Sequence, residues 1–458
     1  MPLLSLYSWV RARHVAGMRV RNFMEAPWAG GVVLLVCVGI AMLLANLPAT
    51  SLYYRHMLET DLSLLVQSPD RLIDVNFPRG MTVEKFVNDI LMVIFFFSVG
   101  LEIKREVLGG HLSSKQQAIL PVLAAAGGMI VPALIFFCFN VGTPAVNGWG
   151  IPTATDIAFA IGILSMLGDR VPVSLKIFLT ALAIADDLGA ILVIALFYGG
   201  KLRFGFLLLA ALAMFFVYFI SRMGEKRMFF YMVPAVVIWT LFYYSGVHST
   251  LSGVAMALFI PVKPRYSEEY FAHKMRTWKN KLMQVGGRGE FPNEEHRYYL
   301  RQMRRLATDS VSMSCRLEQG LSPYVNFLVM PLFALANAGV EIPSLEYLDI
   351  FTRTADGGAI GMGVFFGLAA GKPLGIFLAS WIAVKTRVAV MPEGATWRML
   401  LAVACLGGIG FTMSLFVDSL AYTDVAMVDR GKIAILMGST AAALLGSLLI
   451  MIFSYKKR

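Results

Sequence analysis

Apolar positions in this chain do not alternate or follow a helical stripe. They run in long continuous blocks. Twelve can be marked, at about 28–47, 84–103, 117–138, 150–167, 173–198, 204–221, 228–243, 246–261, 321–340, 358–384, 398–421 and 432–454. Roughly 20 apolar residues at 1.5 Å per residue cover the ~30 Å hydrocarbon layer of a bilayer, and most of these blocks have that length. The pattern predicts an all-α polytopic membrane protein of about 12 transmembrane helices. The seventh and eighth blocks are both short. The first block begins near Pro27 and is too long for the core of a signal peptide, so it reads as an uncleaved first span.

The polar stretches between the blocks carry a second pattern. With the N-terminus in the cytoplasm, even-numbered spans end there and should be followed by Lys or Arg. They are: Lys104, Arg105 and Lys115; Arg170 and Lys176; Arg222, Lys226 and Arg227; Lys385, Arg387 and Arg398; and Lys456, Lys457 and Arg458. Arg11, Arg13, Arg19 and Arg21 place the 1–27 stretch on the same side. The opposite-side loop 139–149 has no charge, and 341–357 is mostly acidic through Glu341, Glu346, Asp349 and Asp356. Lys201 and Arg203 run against the rule. The expected layout is a cytoplasmic 1–27, a membrane domain over 28–454 and a cytoplasmic tail, 455–458. Two connections are long. Residues 48–83 form an outer loop with room for a short hairpin. Residues 263–320 form a basic cytoplasmic insert, broken by Gly286-Gly287-Arg288-Gly289 and predicted to hold one or two surface helices.

Composition agrees: 57% of residues are hydrophobic and 15% charged, and mean hydropathy is +0.68. Net charge is +11, but the basic residues sit mostly in the connections, where they set topology, so nucleic acid is not an expected partner. Cys37, Cys138, Cys315 and Cys405 form no CxxC pair and no cluster with histidine, which argues against a disulfide framework or a zinc site. No phosphate loop or nucleophile motif suggests an enzyme or a cofactor.

Ionisable residues inside the apolar blocks are the exception that needs a reason, because charge in hydrocarbon is costly and usually functional. The main ones are Asp156, Asp186, Asp187 and Lys372, with Asp89 and His248 as lesser candidates. Asp156 closes Ile151-Pro152-Thr153-Ala154-Thr155-Asp156. Pro152 removes a helix donor, so a broken helix would present carbonyl and hydroxyl oxygens beside a carboxylate, the hard ligands a small cation accepts. The alternative is a span that simply starts at Pro152. Asp186 and Asp187 are adjacent, so on a helix they point about 100° apart and cannot share one ion symmetrically. One should face an ion cavity and the other a different partner. Lys372, in Gly371-Lys372-Pro373-Leu374-Gly375, is the one strongly buried cation the pattern offers, unless it snorkels to an interface. Burial disfavours the charged form of any such group, which brings proton exchange toward neutral pH.

Cys405 to Ser414 has no charge but holds Gly407, Gly408 and Gly410 in four positions, either an unwound stretch or a close helix contact. With Pro152–Asp156 it gives two candidate breaks, in spans 4 and 11, each the middle of a three-span group. Paired breaks in corresponding positions point to a transporter site.

At these residues the chain closely resembles the NhaA family of bacterial Na+/H+ antiporters. The similar stretches are Phe96–Gly110 (FFSVGLEIKREVLGG), Thr153–Gly162 (TATDIAFAIG), Leu179–Tyr198 (LTALAIADDLGAILVIALFY), Ser245–Pro261 (SGVHSTLSGVAMALFIP), Pro331–Gly339 (PLFALANAG), Gly371–Ile376 (GKPLGI) and Gly407–Leu420 (GGIGFTMSLFVDSL). The resemblance implies an inverted-repeat fold with discontinuous spans 4 and 11. Asp187 would be the main Na+ ligand and proton exchanger, with Asp156 and Thr155 supporting it. Asp186 would pair with Lys372. Glu102, Arg105 and Glu106 would belong to a pH-sensing cytoplasmic funnel, and Glu318 matches a further acidic sensor position. His248 matches a family histidine. The 48–83 loop would help hold a homodimer.

The chain departs from the pattern at Gln319 and Ser322, where the family can hold histidine, and in its longer 263–318 insert. The resemblance therefore implies a pH-regulated, electrogenic Na+ (or Li+)/H+ antiporter in the inner membrane. A sodium-coupled solute symporter and an intramembrane aspartyl protease are the rival readings. The protease fits poorly, because Gly408-Ile409-Gly410 is followed by Phe411 and not by aspartate.

Overall fold

A computed structural model describes residues 23–455, except 25, 27, 63, 69–70, 76–80, 111, 201, 226, 286–292, 343–348 and 354–357. The basic N-terminal stretch, the Gly286–Gly289 break, Glu346, Asp356 and the Lys456–Arg458 tail therefore lie outside the described residues.

The described chain is nearly all helical. The helices are α1 (Ala29–Asn46), α2 (Ser51–Glu59), α3 (Val83–Gly109), α4 (Lys115–Asn140), α5 (Ile157–Met166), α6 (Val173–Phe197), α7 (Phe204–Arg222) and α8 (Phe229–Ser245). They continue with α9 (Leu251–Phe259), α10 (Glu268–Val285), α11 (Glu294–Ser310), α12 (Met313–Asn337), α13 (Ile360–Lys385), α14 (Trp397–Gly407), α15 (Phe411–Ala421) and α16 (Val425–Tyr455). The 48–83 stretch holds α2 and an antiparallel pair, β1 (Leu64–Ser68) and β2 (Arg71–Val75), in a register that sets Leu64 opposite Val75 and Ser68 opposite Arg71.

Among the described residues, nine helices are long and apolar enough to cross a membrane, ten if the bent α14–α15 pair counts as one span. The sequence-based count of twelve adds α8 and α9, which have 17 and 9 residues and fall below that length. Gly246 separates them at φ 86°, a left-handed position that suits glycine and ends a helix. The helix that carries the ninth predicted block, 321–340, starts at Met313, so Glu318 lies inside α12.

The chain forms two compact units. One comprises the described residues within 1–95, 106–201 and 323–458, and the other those within 96–105 and 202–322. In the first unit α13 lies against α4 through small residues. A methyl group on Gly375 would fall 2.1 Å from the Gly127 carbonyl oxygen, so only glycine permits this approach. Three long helices change pitch for one turn of π-helix, at Val87–Leu91, Val325–Val329 and Gly367–Gly371. Such bulges often mark functional positions, and the third ends immediately before Lys372.

The second unit is built on α7, α8 and α9. Its core includes Leu101, Val217, Tyr231, Ile238 and Met256. Lys104 donates to the carbonyls of Leu258 and Ile260, both at 2.6 Å, a cation at the negative end of α9. The insert forms α10 and α11, which pack on each other. Arg265 ties the start of the insert to its end by an ion pair with Asp309 at 3.6 Å.

Candidate functional site

Pro152 lies inside a ten-residue 3₁₀ stretch, Pro144–Thr153, and Ala154 is extended before α5 begins. Pro152 packs where Gly367 has no side chain: a methyl there would reach 2.6 Å from its Cβ. The second break spans Gly408–Gly410, where α14 and α15 meet at 47°. Gly408 and Gly410 are both confined by neighbouring backbone. A Cβ on Gly408 would sit 2.5 Å from the Leu368 carbonyl oxygen, and one on Gly410 would sit 3.1 Å from that of Ala154. The first turn of α15 is capped from α16, where Ser439 Oγ accepts from Gly410 N and Phe411 N at 3.3 and 3.1 Å.

The two breaks are stitched together. Asp156 N donates to the Ile409 carbonyl at 2.7 Å, and Thr155 Oγ1 donates to the Gly407 carbonyl at 3.0 Å. The Asp156 carboxylate caps α5 by accepting from Phe159 N at 3.1 Å. Its other oxygen accepts from Thr412 N at 3.2 Å and from Thr412 Oγ1 at 2.5 Å. Asp156 thus satisfies the first turns of two helices at once, in a place where unpaired backbone groups would be costly. Ser414 Oγ adds a bond to the Ile151 carbonyl at 2.8 Å.

Lys372 joins this region to α6. Its Nζ donates to Asp186 Oδ2 at 2.7 Å and to the Thr153 carbonyl at 2.5 Å, and both charged side chains are almost fully buried. Asp186 Oδ1 has no hydrogen-bond partner among the described residues. Asp187 is buried too, at 3% exposure, and acts electrostatically on Lys372. Asp156, Asp186, Asp187 and Lys372 are therefore all buried in the first unit, and Asp186, not Asp187, holds the lysine. Two members of the region escaped the sequence reading: Thr412, hidden as an uncharged residue in a glycine-rich run, and Ser439, mid-block in α16.

The predicted sensor residues fall differently. Glu102, Arg105, Glu318 and His248 belong to the second unit and Glu106 to the first. Arg105 Nη1 pairs with Glu318 Oε1 at 3.0 Å. His248 is half-buried in the turn before α9. Glu106 is buried, with its carboxylate folded over Gly110. Among the described residues, no group of three or more His, Cys, Asp or Glu could hold a metal ion as a resident centre.

Residues 21–450 match the model of the family described as Na+/H+ antiporter 1. The chain is 41% identical over 430 residues to the Na(+)/H(+) antiporter NhaA of Escherichia coli O139:H28, covering 93% of this chain and 96% of that protein. It is 40% identical over 426 residues to Na(+)/H(+) antiporter NhaA 2 of Syntrophotalea carbinolica, covering 93% and 94%. A looser likeness, at TM-score 0.45 and 13% identity over 100% of this chain and 99% of the other, is to the sodium proton antiporter MjNhaP1 of Methanocaldococcus jannaschii. The chain belongs to the Na+/H+ antiporter 1 family.

Proposed function

We propose that this Na+/H+ antiporter binds its transported Na+, or Li+, at Asp187 with Asp156 and Thr155, and that protons compete for the same carboxylates. The observation that carries the reading is the hydrogen-bonded path from Asp186 through Lys372 and Thr153 to the two helix breaks, buried throughout. A cation arriving at Asp187 changes the field at Lys372 and so the balance of the Lys372–Asp186 pair. Loss of a proton from the carboxylates offsets the incoming charge, and a proton arriving later expels the cation. The breaks let the site open to one side at a time. A linked proton on the Lys372–Asp186 pair makes more than one proton move per cation, so transport is electrogenic.

Around this centre we read twelve spans in an inverted-repeat arrangement, with α8 and α9 as the two short ones. The membrane is a bacterial inner membrane with both termini on the cytoplasmic side, an orientation that the Lys and Arg distribution favours. Glu102, Arg105, Glu106, Glu318 and His248 tune the response to cytoplasmic pH. A homodimer forms with help from the 48–83 hairpin. The protease reading is set aside because the relatives are transporters.

The test is proton release by the purified protein in detergent. Adding NaCl or LiCl without any organic solute releases protons from the wild type and not from Asp187→Asn. Proton release that needed an organic solute would favour the symporter reading instead.

A further inference from the structure

Asp418 lies on α15, six residues beyond the Thr412 that holds Asp156, or about 9 Å along the axis. It is fully buried, and neither carboxylate oxygen has a hydrogen-bond partner among the described residues. The space it occupies is made for it: a methyl group on Gly431 would come within 2.0 Å of its Oδ1, so the facing turn of α16 has no room for a side chain. The charged and titratable groups facing Asp418 are Lys432 and Asp429 of α16, Tyr422 just past α15, and Tyr198 at the end of α6. Of the elements packed most closely on α15, the 3₁₀ stretch and the Met330–Asn337 end of α12 contain no titratable side chain, and Arg55 and Glu59 of α2 and Glu84 of α3 approach its end across a cavity. Both phenols are committed elsewhere: Tyr422 donates to the Ala145 carbonyl at 2.7 Å and Tyr198 to that of Asn147 at 2.8 Å.

Beside this pocket is a cavity of about 580 Å³ lined by Arg55, Glu59, Glu84, Glu341, Asp429 and Lys432, with Ser419 and Tyr422 in its wall. Arg55 is paired to Glu341, which leaves three acidic groups against one lysine. A cleft of that sign concentrates cations, protons included. Lys432 and Asp429 line the cavity and also act on Asp418, so they link the open space to the buried carboxyl group.

We propose that Asp418, with Lys432, is a second proton-binding station, through which protons pass from this acidic vestibule toward the Asp156 region. The step is a simple transfer. An O–H bond forms on an Asp418 oxygen as a hydronium ion in the vestibule becomes water, and that bond breaks as the proton passes by way of water to an Asp156 carboxylate oxygen, where a new O–H bond forms. The proposal uses the family's antiport activity and the orientation proposed above, which sets the vestibule outside. It does not depend on the roles given to Asp186 and Asp187.

Proteoliposomes with the pH set separately on each side test it. Asp418→Asn should weaken the dependence of Na+ exchange on outside protons by about tenfold, one pH unit, and leave the cytoplasmic dependence unchanged. If that variant does not accumulate, Gly431→Ala, which crowds the carboxyl group, must shift the same arm. An unchanged outside dependence overturns the proposal, and so does a shift confined to the cytoplasmic arm. An Asp187→Asn protein that still exchanges would defeat the main-site reading and leave this one standing.

Discussion

Lys372 holds a carboxylate and a carbonyl together at 2.7 and 2.5 Å, and its two partners do not stand in the same relation to it. Removing the lysine strands the Asp186 charge, whereas removing both members of the pair strands nothing. Breaking one side of a buried ion pair costs about 3–5 kcal/mol, and deleting both is often near neutral. Lys372→Met should therefore lower the melting temperature of the purified protein markedly, and Asp186→Asn with Lys372→Met should recover most of it. Equal melting temperatures for the single and double variants would show that the stranded Asp186 carboxylate costs nothing. At this scale the sequence was informative wherever charge sat deep in an apolar block, as at Asp156, Asp186, Asp187 and Lys372. It was silent where the decisive group is uncharged, as at Thr412, and at Asp418, which lies close to the end of its block and did not stand out.

Between α13 and α4 the geometry is set by close backbone approach. Gly375 against Gly127 fixes the distance between α13 and α4, and with it the reach of Lys372. Gly375→Val should destabilise the protein by about 2 kcal/mol or more, because the added carbons meet backbone that cannot move aside. Gly39→Ala, where a Cβ would meet nothing within 4 Å, should change stability by less than about 0.5 kcal/mol. Thermal denaturation of the two variants compares them directly. Thr412→Val takes one donor from Asp156 and leaves the backbone bond at 3.2 Å. It should lower the apparent affinity for Na+ by about tenfold, a typical loss for one hydrogen bond to a charged group, and a titration of exchange rate against Na+ reads it. Pro152 and the Gly407–Gly410 run pointed to the stretches, Pro144–Thr153 and Gly408–Gly410, where regular α-helix stops. The three π-turns could not be seen beforehand, since a one-residue change of pitch leaves the apolar pattern almost intact.

For the whole molecule, block length predicted a polytopic helical protein but could not settle the number of spans. α8 and α9 are short apolar helices, and length alone does not say whether such a helix crosses. The insert read as basic and polar, which suited the surface helices α10 and α11 without assigning them a role. If more than one proton moves per cation, a membrane potential imposed with no pH gradient should drive Na+ movement, and an electroneutral exchanger would ignore it. The Arg105–Glu318 pair should make Glu318→Gln shift the pH at which exchange begins, with maximal rate preserved, measured by the same exchange assay across pH. The most direct test of the central assignment uses everted membrane vesicles loaded with a pH-sensitive dye. Adding Na+ to wild-type vesicles should dequench the dye as protons leave the lumen, and vesicles with Asp187→Asn at equal expression should give no response. Dequenching that persists in Asp187→Asn would contradict the account.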